Sequence, residues 1–323
     1  MGGSVTSMPL AGPRVSFVGE GLDRPESVLA TARGEVFVSD HVAGVRQVGS
    51  PRRALAGAPG GFLPNGFCLL PNREFLIANL DHASGGGVWR IDAQWRLHPW
   101  LMEVDGEPLA TANFVCIDDA GRTWVSMSTR SVPREAAFNG HTASGFVAVV
   151  DARGARIAAD GIGFTNECRV DPSGRWLYVN ETFARRVSRY PLNARGDLGA
   201  KEIVYRFGDG DFPDGLAFDA AGGVWVACVV SNRLVRIGPD GAVSIELEDP
   251  DPAVIAQVEA RYAQGVMGRA DVDAGARRAL GNTSSLAFGG PDLRTVYVGC
   301  LGGTRLATFR SEIAGAAPPH WHF

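Results

Sequence analysis

The sequence predicts an all-β chain folded as a six-bladed β-propeller, with a short helical insertion between blades five and six. Three observations carry this. Six times a polar residue opens a short apolar run: Glu26 (ESVLA), Asn65 (NGFCL), Asn113 (NFVCI), Asn166 (NECRV), Asp214 (DGLAF) and Ser284 (SSLAF). Most of these runs lead through an Asp/Gly-rich turn into a second β-rich run: GEVFVSD, REFLIAN, RTWVSMS, RWLYVNE, GVWVACV and RTVYVGC. The openers recur at about 40–50 residues, the period of a propeller blade.

The elements follow in order. RVSFVG (14–19) reads as a strand before the first opener, and RLATFR (305–310) as a strand after the last. A ring closes most simply when one chain end completes a blade begun by the other, so these two segments are the expected closure. Hairpin turns punctuate the units at Pro71-Asn72, Asp118–Gly121, Asp171–Gly174, Asp219–Gly222 and Gly290–Asp292. Trp124, Trp176, Trp225 and Tyr297 hold matching places in the second strands and are expected to fill the space between blades. Two segments break the pattern. Residues 128–145 form a long polar connection inside blade three, and long connections in compact folds are disproportionately functional. Residues 251–282 lack strand character. Asp251 before Pro252 makes a cap and first-position pair, and Val254, Ile255, Val258 and Tyr262 share one helical face. The expected organisation is a flexible tail over 1–12, one propeller over 13–312 containing the 251–282 insertion, and a C-terminal tail over 313–323.

Composition excludes several classes. The 323 residues are 45% apolar and 20% charged with net charge −4, and no Lys/Arg block suggests nucleic acid. Lys201 is the one lysine, and it lies in a polar turn, which argues against Schiff-base chemistry. Cys68, Cys116, Cys168, Cys228 and Cys300 are odd in number and lack C-x-x-C spacing, so they read as buried hydrophobes rather than disulfides or zinc ligands. No apolar run approaches the roughly 18 residues of a membrane span. The first dozen residues lack a signal peptide's basic and apolar regions. Gly2 and Thr6 match the loose myristoylation pattern, for which a flexible tail is the plainer account. The expectation is a cytoplasmic protein, monomer or homodimer, acting on a small molecule with no membrane or nucleic-acid partner.

Nucleophile elbows, H-E-x-x-H, phosphate-binding and dinucleotide-binding glycine loops are all missing from the sequence. The openers remain. If each begins the innermost strand of its blade, all six side chains converge at one mouth of the central channel. Two are carboxylates, three are carboxamides and none is basic. Such an all-oxygen ring suits a hard divalent cation, Ca2+ first, with Zn2+, Mn2+ or Mg2+ as alternatives. Glu26 and Asp214 would supply two charges, Asn113 and Asn166 neutral oxygens. Thr111, Phe114 and Phe164 flank the ring in sequence and, with Asn65, are candidate substrate contacts. His141, in the long loop, is a further candidate.

PES (25–27), NFV (113–115), DAGRTW (119–124), TNE (165–167), DPSGRWLYVNET (171–182), FPDGLAFDAAGGVWVA (212–227) and SSLAFGGPDLRTVYV (284–298) together resemble the senescence marker protein/gluconolactonase (regucalcin-like) family. The resemblance covers nearly the whole chain. It implies a six-bladed propeller with one catalytic divalent ion, usually calcium, and a lactone-opening hydrolase. Carried over by position, it makes Glu26, Asn166 and Asp214 ligands, Asn113 a ligand or substrate contact, and Asp214 also the general base. Two departures stand out. Sugar-lactone members carry arginine two residues before Asn113, where this chain has Thr111. RPESV around Glu26 resembles the strictosidine synthase-like branch, whose members can lack the metal. The alternatives are therefore a phosphotriesterase-like or other non-lactone hydrolase on the same site, or a strictosidine synthase-like or non-enzymatic ligand-binding propeller. Thr111 in place of arginine predicts poor use of polyhydroxylated lactones.

Overall fold

The computed structural model describes residues 11–323. The pattern at Gly2 and Thr6, and the tail up to residue 10, lie outside them. Residue 11 is not loose: Ala11 bridges Glu248 on the outer edge of blade five.

Six antiparallel sheets are arranged around a channel, each with its first strand innermost. Blade one has three strands, Val28–Ala30, Val36–Asp40 and Gly44–Gln47. Blades two to five have four each, beginning at Pro64–Leu69, Ala112–Ile117, Thr165–Val170 and Asp211–Phe218. Blade six begins at Thr283–Gly289 and takes its fourth strand from the other end of the chain. Ser16–Val18 pairs with Leu306–Arg310, Phe17 opposite Ala307. The expected closure is the observed one. Both faces of each blade meet a neighbouring blade, so the apolar side chains pack between blades. Trp124 and Trp225 are fully buried there, with indole N–H groups donating to Asp118 and Asp219 at 2.8 and 2.9 Å. Those same carboxylates accept backbone N–H groups of their own hairpin turns, which fixes the turn and anchors the ring together. Trp176 and Tyr297 are only half-buried. All five cysteines are buried and free.

Two local features aim the openers. In blades two to six the pairing of the first two strands shifts register at the opener: between Pro64 and Phe67, Ala112 and Phe114, Thr165 and Cys168, Pro213 and Leu216, Thr283 and Ser285. A bulge bends the strand and re-aims a side chain, here at the narrow end of each blade. The glycines after Asn65 and Asp214 answer the crowding that results. A Cβ on Gly66 would lie 2.2 Å from the Phe114 ring, and one on Gly215 2.6 Å from the Ser284 carbonyl oxygen.

The insertion holds helices α1 (Pro252–Ala263) and α2 (Arg269–Asp273), followed by a 3-10 turn at Ala274–Arg277. Asp251 caps α1 as its sequence requires, accepting from Ala253 and Val254 N–H. The predicted apolar face is buried against the propeller. Val258 is 1% exposed, and Val254 and Tyr262 pack on Phe138, Phe164, Phe183 and Phe212. Residues 313–323 are also packed: Ala316 N–H donates to the Phe218 carbonyl, Ala32 N–H to that of Trp321, and His320 is buried. Among the described residues no helix is long and apolar enough to cross a membrane.

Candidate active site

Four of the six openers, Glu26, Asn113, Asn166 and Asp214, line one cavity of about 30 Å3 at the mouth of the channel, under the insertion. A space of that size holds one water or one ion. A second cavity, of about 460 Å3, lies at the opposite ends of the inner strands, against Phe67, Phe218 and the 316–320 segment, and no opener reaches it.

The four side chains are fixed so that acceptors face inward. Asn113 Nδ2 donates to Ser128 Oγ at 3.1 Å and Asn166 Nδ2 to Thr182 Oγ1 at 3.0 Å. Thr182 is itself tied to the Pro213 carbonyl at 2.8 Å. With their amides engaged, the Oδ1 atoms of Asn113 and Asn166 are buried without a hydrogen-bond partner. The Asp214 carboxylate also has no hydrogen-bond partner among the described residues, while its backbone carbonyl accepts from Asn180 Nδ2 at 2.9 Å. Burial, then the nearby Glu26 and Glu167 carboxylates, push the Asp214 carboxyl well above its usual range, with Arg24 and Arg269 opposing. Buried acceptors without donors are costly, and a cation would supply the partner that Asn113 Oδ1, Asn166 Oδ1 and the Asp214 carboxylate lack. Among the described residues no group of three or more His, Cys, Asp or Glu is placed to hold a metal. A cation here therefore needs the carboxamides as well as the two carboxylates, which is the hard, all-oxygen donor set that Ca2+ accepts.

The two remaining openers are latches. Asn65 donates to the Asn113 carbonyl at 2.9 Å and accepts from Arg24 Nη2 at 3.2 Å, so both ends of its amide are occupied. Ser284 Oγ donates to the Glu26 carbonyl at 2.8 Å, joining blade six to blade one. Of the flanking candidates, Phe164 lines the cavity. Thr111 does not: it is buried, with its hydroxyl donating to the Thr129 carbonyl at 3.0 Å. Phe114 sits in the core beneath Arg169, whose guanidinium lies 4.7 Å from its ring centroid. His141 is exposed at the tip of its loop and does not line the cavity. The lack of an arginine at position 111 does not leave the cavity without guanidinium groups. Arg24, Arg134 and Arg269 all line the cavity.

Those arginines come from places the repeat pattern does not cover. Arg24 lies two residues before the first opener, Arg134 in the long loop of blade three, and Arg269 at the start of α2. The signal for the latter two was the irregularity of their segments. Phe138 and Phe183 complete the wall, stacked with centroids 4.2 Å apart, and Phe164 meets Phe183 edge-on at 4.7 Å. The rings continue through Phe212 to Tyr262 of α1. Oxygen acceptors thus form the floor, and aromatic rings with arginines form the cover.

A sequence model of the SMP-30/gluconolactonase/LRE-like region matches residues 25–258. The chain is 30% identical over 216 residues to a 6-deoxy-6-sulfogluconolactonase of Pseudomonas putida, covering 66% of this chain and 62% of that protein, less than two thirds of its length. Solved structures with the same fold include a gluconolactonase of Xanthomonas campestris, with TM-score 0.62, 16% identity and coverage of 95% and 99% of the two chains. Another is a calcium-binding regucalcin of Agrobacterium tumefaciens, with TM-score 0.58, 18% identity and coverage of 98% and 99%.

Proposed function

Since the chain belongs to the SMP-30/gluconolactonase/LRE-like family, we propose that it is a hydrolase that opens a lactone with the help of one divalent cation, Ca2+ in the first instance. The observation that carries this reading is the pair of buried acceptors without donors, Asn113 Oδ1 and Asn166 Oδ1, lining one cavity with the Asp214 and Glu26 carboxylates. Those four residues would hold the cation. When bound, it supplies Lewis-acid polarisation of an ester carbonyl.

This chain's residues do the rest. Asp214 takes the proton of the attacking water at its carboxylate, which has no competing donor among the described residues. The amides of Asn113 and Asn166, anchored on Ser128 and Thr182, keep their carbonyl oxygens on the wall without rearrangement during the reaction. Phe138, Phe164 and Phe183 exclude bulk water from the floor and present an apolar face to the ring of the substrate. The cavity admits no lactone while the cover is down, so substrate entry requires the long loop or the insertion to shift.

The test is elemental analysis of the purified protein, joined to a pH-drop assay over a lactone panel with and without chelator. One divalent ion per chain, with hydrolysis lost to chelator and restored by Ca2+, is the expected outcome. Hydrolysis indifferent to exhaustive chelation would remove the cation from the reading. No hydrolysis of any lactone by metal-loaded protein would remove the lactone.

A further inference from the structure

Three guanidinium groups, Arg24, Arg134 and Arg269, share a small cavity with the Glu26 and Asp214 carboxylates. They are not equivalent. Arg24 is fully engaged by the protein: it donates to Glu26 at 2.9 Å, the Pro64 carbonyl at 3.1 Å and Asn65 Oδ1 at 3.2 Å. Arg269 is held to Asp273 by Nε at 2.9 Å and Nη2 at 2.5 Å, which leaves Nη1 without a hydrogen bond among the described residues. Arg134 has neither a hydrogen bond nor an ion pair among the described residues. It rests between ring faces, 5.9 Å from the Phe138 centroid and 5.7 Å from that of Phe164. Burial, and then the positive charges of Arg269 and Arg24, lower its pKa to about 10, so it is still a cation at neutral pH.

A partly buried guanidinium without an acceptor, beside a second with free donors, is an arrangement that costs free energy unless something anionic completes it. Glu26 and Asp214 do not: the first is paired with Arg24, and neither bonds to Arg134. The Arg134 guanidinium and the remaining Nη1 of Arg269 both sit on the cover, one on the 3-10 turn Arg134–Ala137 and one on α2, whereas the acceptors form the floor. A bound molecule would therefore meet oxygen acceptors at one end and guanidinium donors at the other.

We propose that Arg134 and Arg269 clamp a fixed anionic group, a phosphate or a sulfonate, carried by the lactone substrate away from its ester carbonyl. The inference rests on the lactone-opening reading of the floor. It makes the substrate an anionic sugar lactone rather than a neutral one. The fork of Arg134 and the remaining Nη1 of Arg269 offer the several N–H donors that a tetrahedral oxyanion accepts. The anion also bridges the two pieces of cover, so binding and closure are coupled.

The experiment has two independent arms on the metal-loaded protein. In the first, kcat/KM is measured for gluconolactone, for its phosphate ester at the primary hydroxyl, and for the analogue with sulfonate in place of that hydroxyl. The expected result is a preference for one or both anionic lactones of the order of 100-fold, carried mainly by KM. Arg134→Gln with Arg269→Gln should erase it, and Arg134→Lys should retain part of it. The ranking of phosphate against sulfonate identifies the group. In the second arm, calorimetry compares phosphogluconate with gluconate on wild-type and double-variant protein, with melting temperature and bound cation measured as folding controls. Tighter binding of phosphogluconate that is lost in the double variant supports the clamp even if no lactone is hydrolysed, in which case only the lactone reading fails. Hydrolysis of neutral and anionic lactones at equal efficiency overturns the clamp and leaves the lactone reading intact. A preference that survives both substitutions overturns it too.

Discussion

Arg24 Nη1 lies 2.9 Å from Glu26 Oε2 while Nη2 of the same guanidinium lies 3.2 Å from Asn65 Oδ1, so one arginine joins the openers of blades one and two. Both partners of the ion pair are about nine-tenths buried. Like charges on Glu26 and Asp214 therefore do not by themselves demand a metal, because Arg24 already offsets one of them.

Arg24→Gln should raise the affinity of the site for a divalent cation several-fold, since it removes a positive charge from the edge of the proposed site and frees Glu26. Calorimetric titration of metal-free protein with Ca2+ measures this. A fall in affinity would mean that Arg24 acts chiefly by holding Glu26 in place.

Asp214→Asn keeps an oxygen on the wall and removes the base. The expected outcome is a fall in kcat of about 100-fold or more, with more residual cation binding than Asp214→Ala. Turnover near that of the wild type would move the proton-accepting role to another residue.

Gly215→Ala tests how the floor is built. The added methyl would lie 2.6 Å from backbone atoms of Ser284 and Ser285, contacts that cannot be relieved by a side-chain rotation. A loss of about 2 kcal/mol or more in chemical denaturation is expected, with weaker cation binding because Asp214 moves with its strand. Unchanged stability would show that blades five and six can part without cost.

Val258→Ala tests the insertion as a cover. Val258 is 1% exposed within the aromatic cluster, and its truncation should cost about 1–2 kcal/mol of docking energy. Limited proteolysis within 251–282 should then accelerate more than global unfolding does. Equal acceleration throughout the chain would make the insertion part of the common core.

His320 gives a pH signature. Burial, and then Arg169, lower its pKa to about 3. The unfolded chain takes up this proton near pH 6.5 and the folded chain only near pH 3, so the neutral ring's contribution is present above the higher value and is lost as pH falls between the two. His320→Gln should flatten that slope, by an amount on the order of 3 kcal/mol between pH 6.5 and 4. Parallel stability curves for the two proteins would refute the assignment.

The openers were legible because a propeller repeats. Each blade must begin at the channel and turn outward after one strand, so the polar residue, the apolar run and the Asp/Gly turn recur in phase. The closure by residues 14–19 and 305–310 was legible for the same reason. Asn65 and Ser284 share the pattern of Asn113 and Asn166, yet they spend their donors on the next blade. Whether an amide oxygen faces the cavity depends on a bulge and on a partner such as Ser128 or Thr182, and neither is adjacent in sequence.

The sequence by itself determined the six-fold ring, the polar residue at each channel entrance and the helical character of 251–282, because these rest on local periodicity and turn chemistry. Tertiary structure decided which four openers share a cavity, that Thr111, Phe114 and His141 stay outside it, and that Arg24, Arg134 and Arg269 enter it. Those outcomes depend on residues from different blades and loops meeting around the channel, where crowding and unpaired charge rather than local preference fix where each side chain can go.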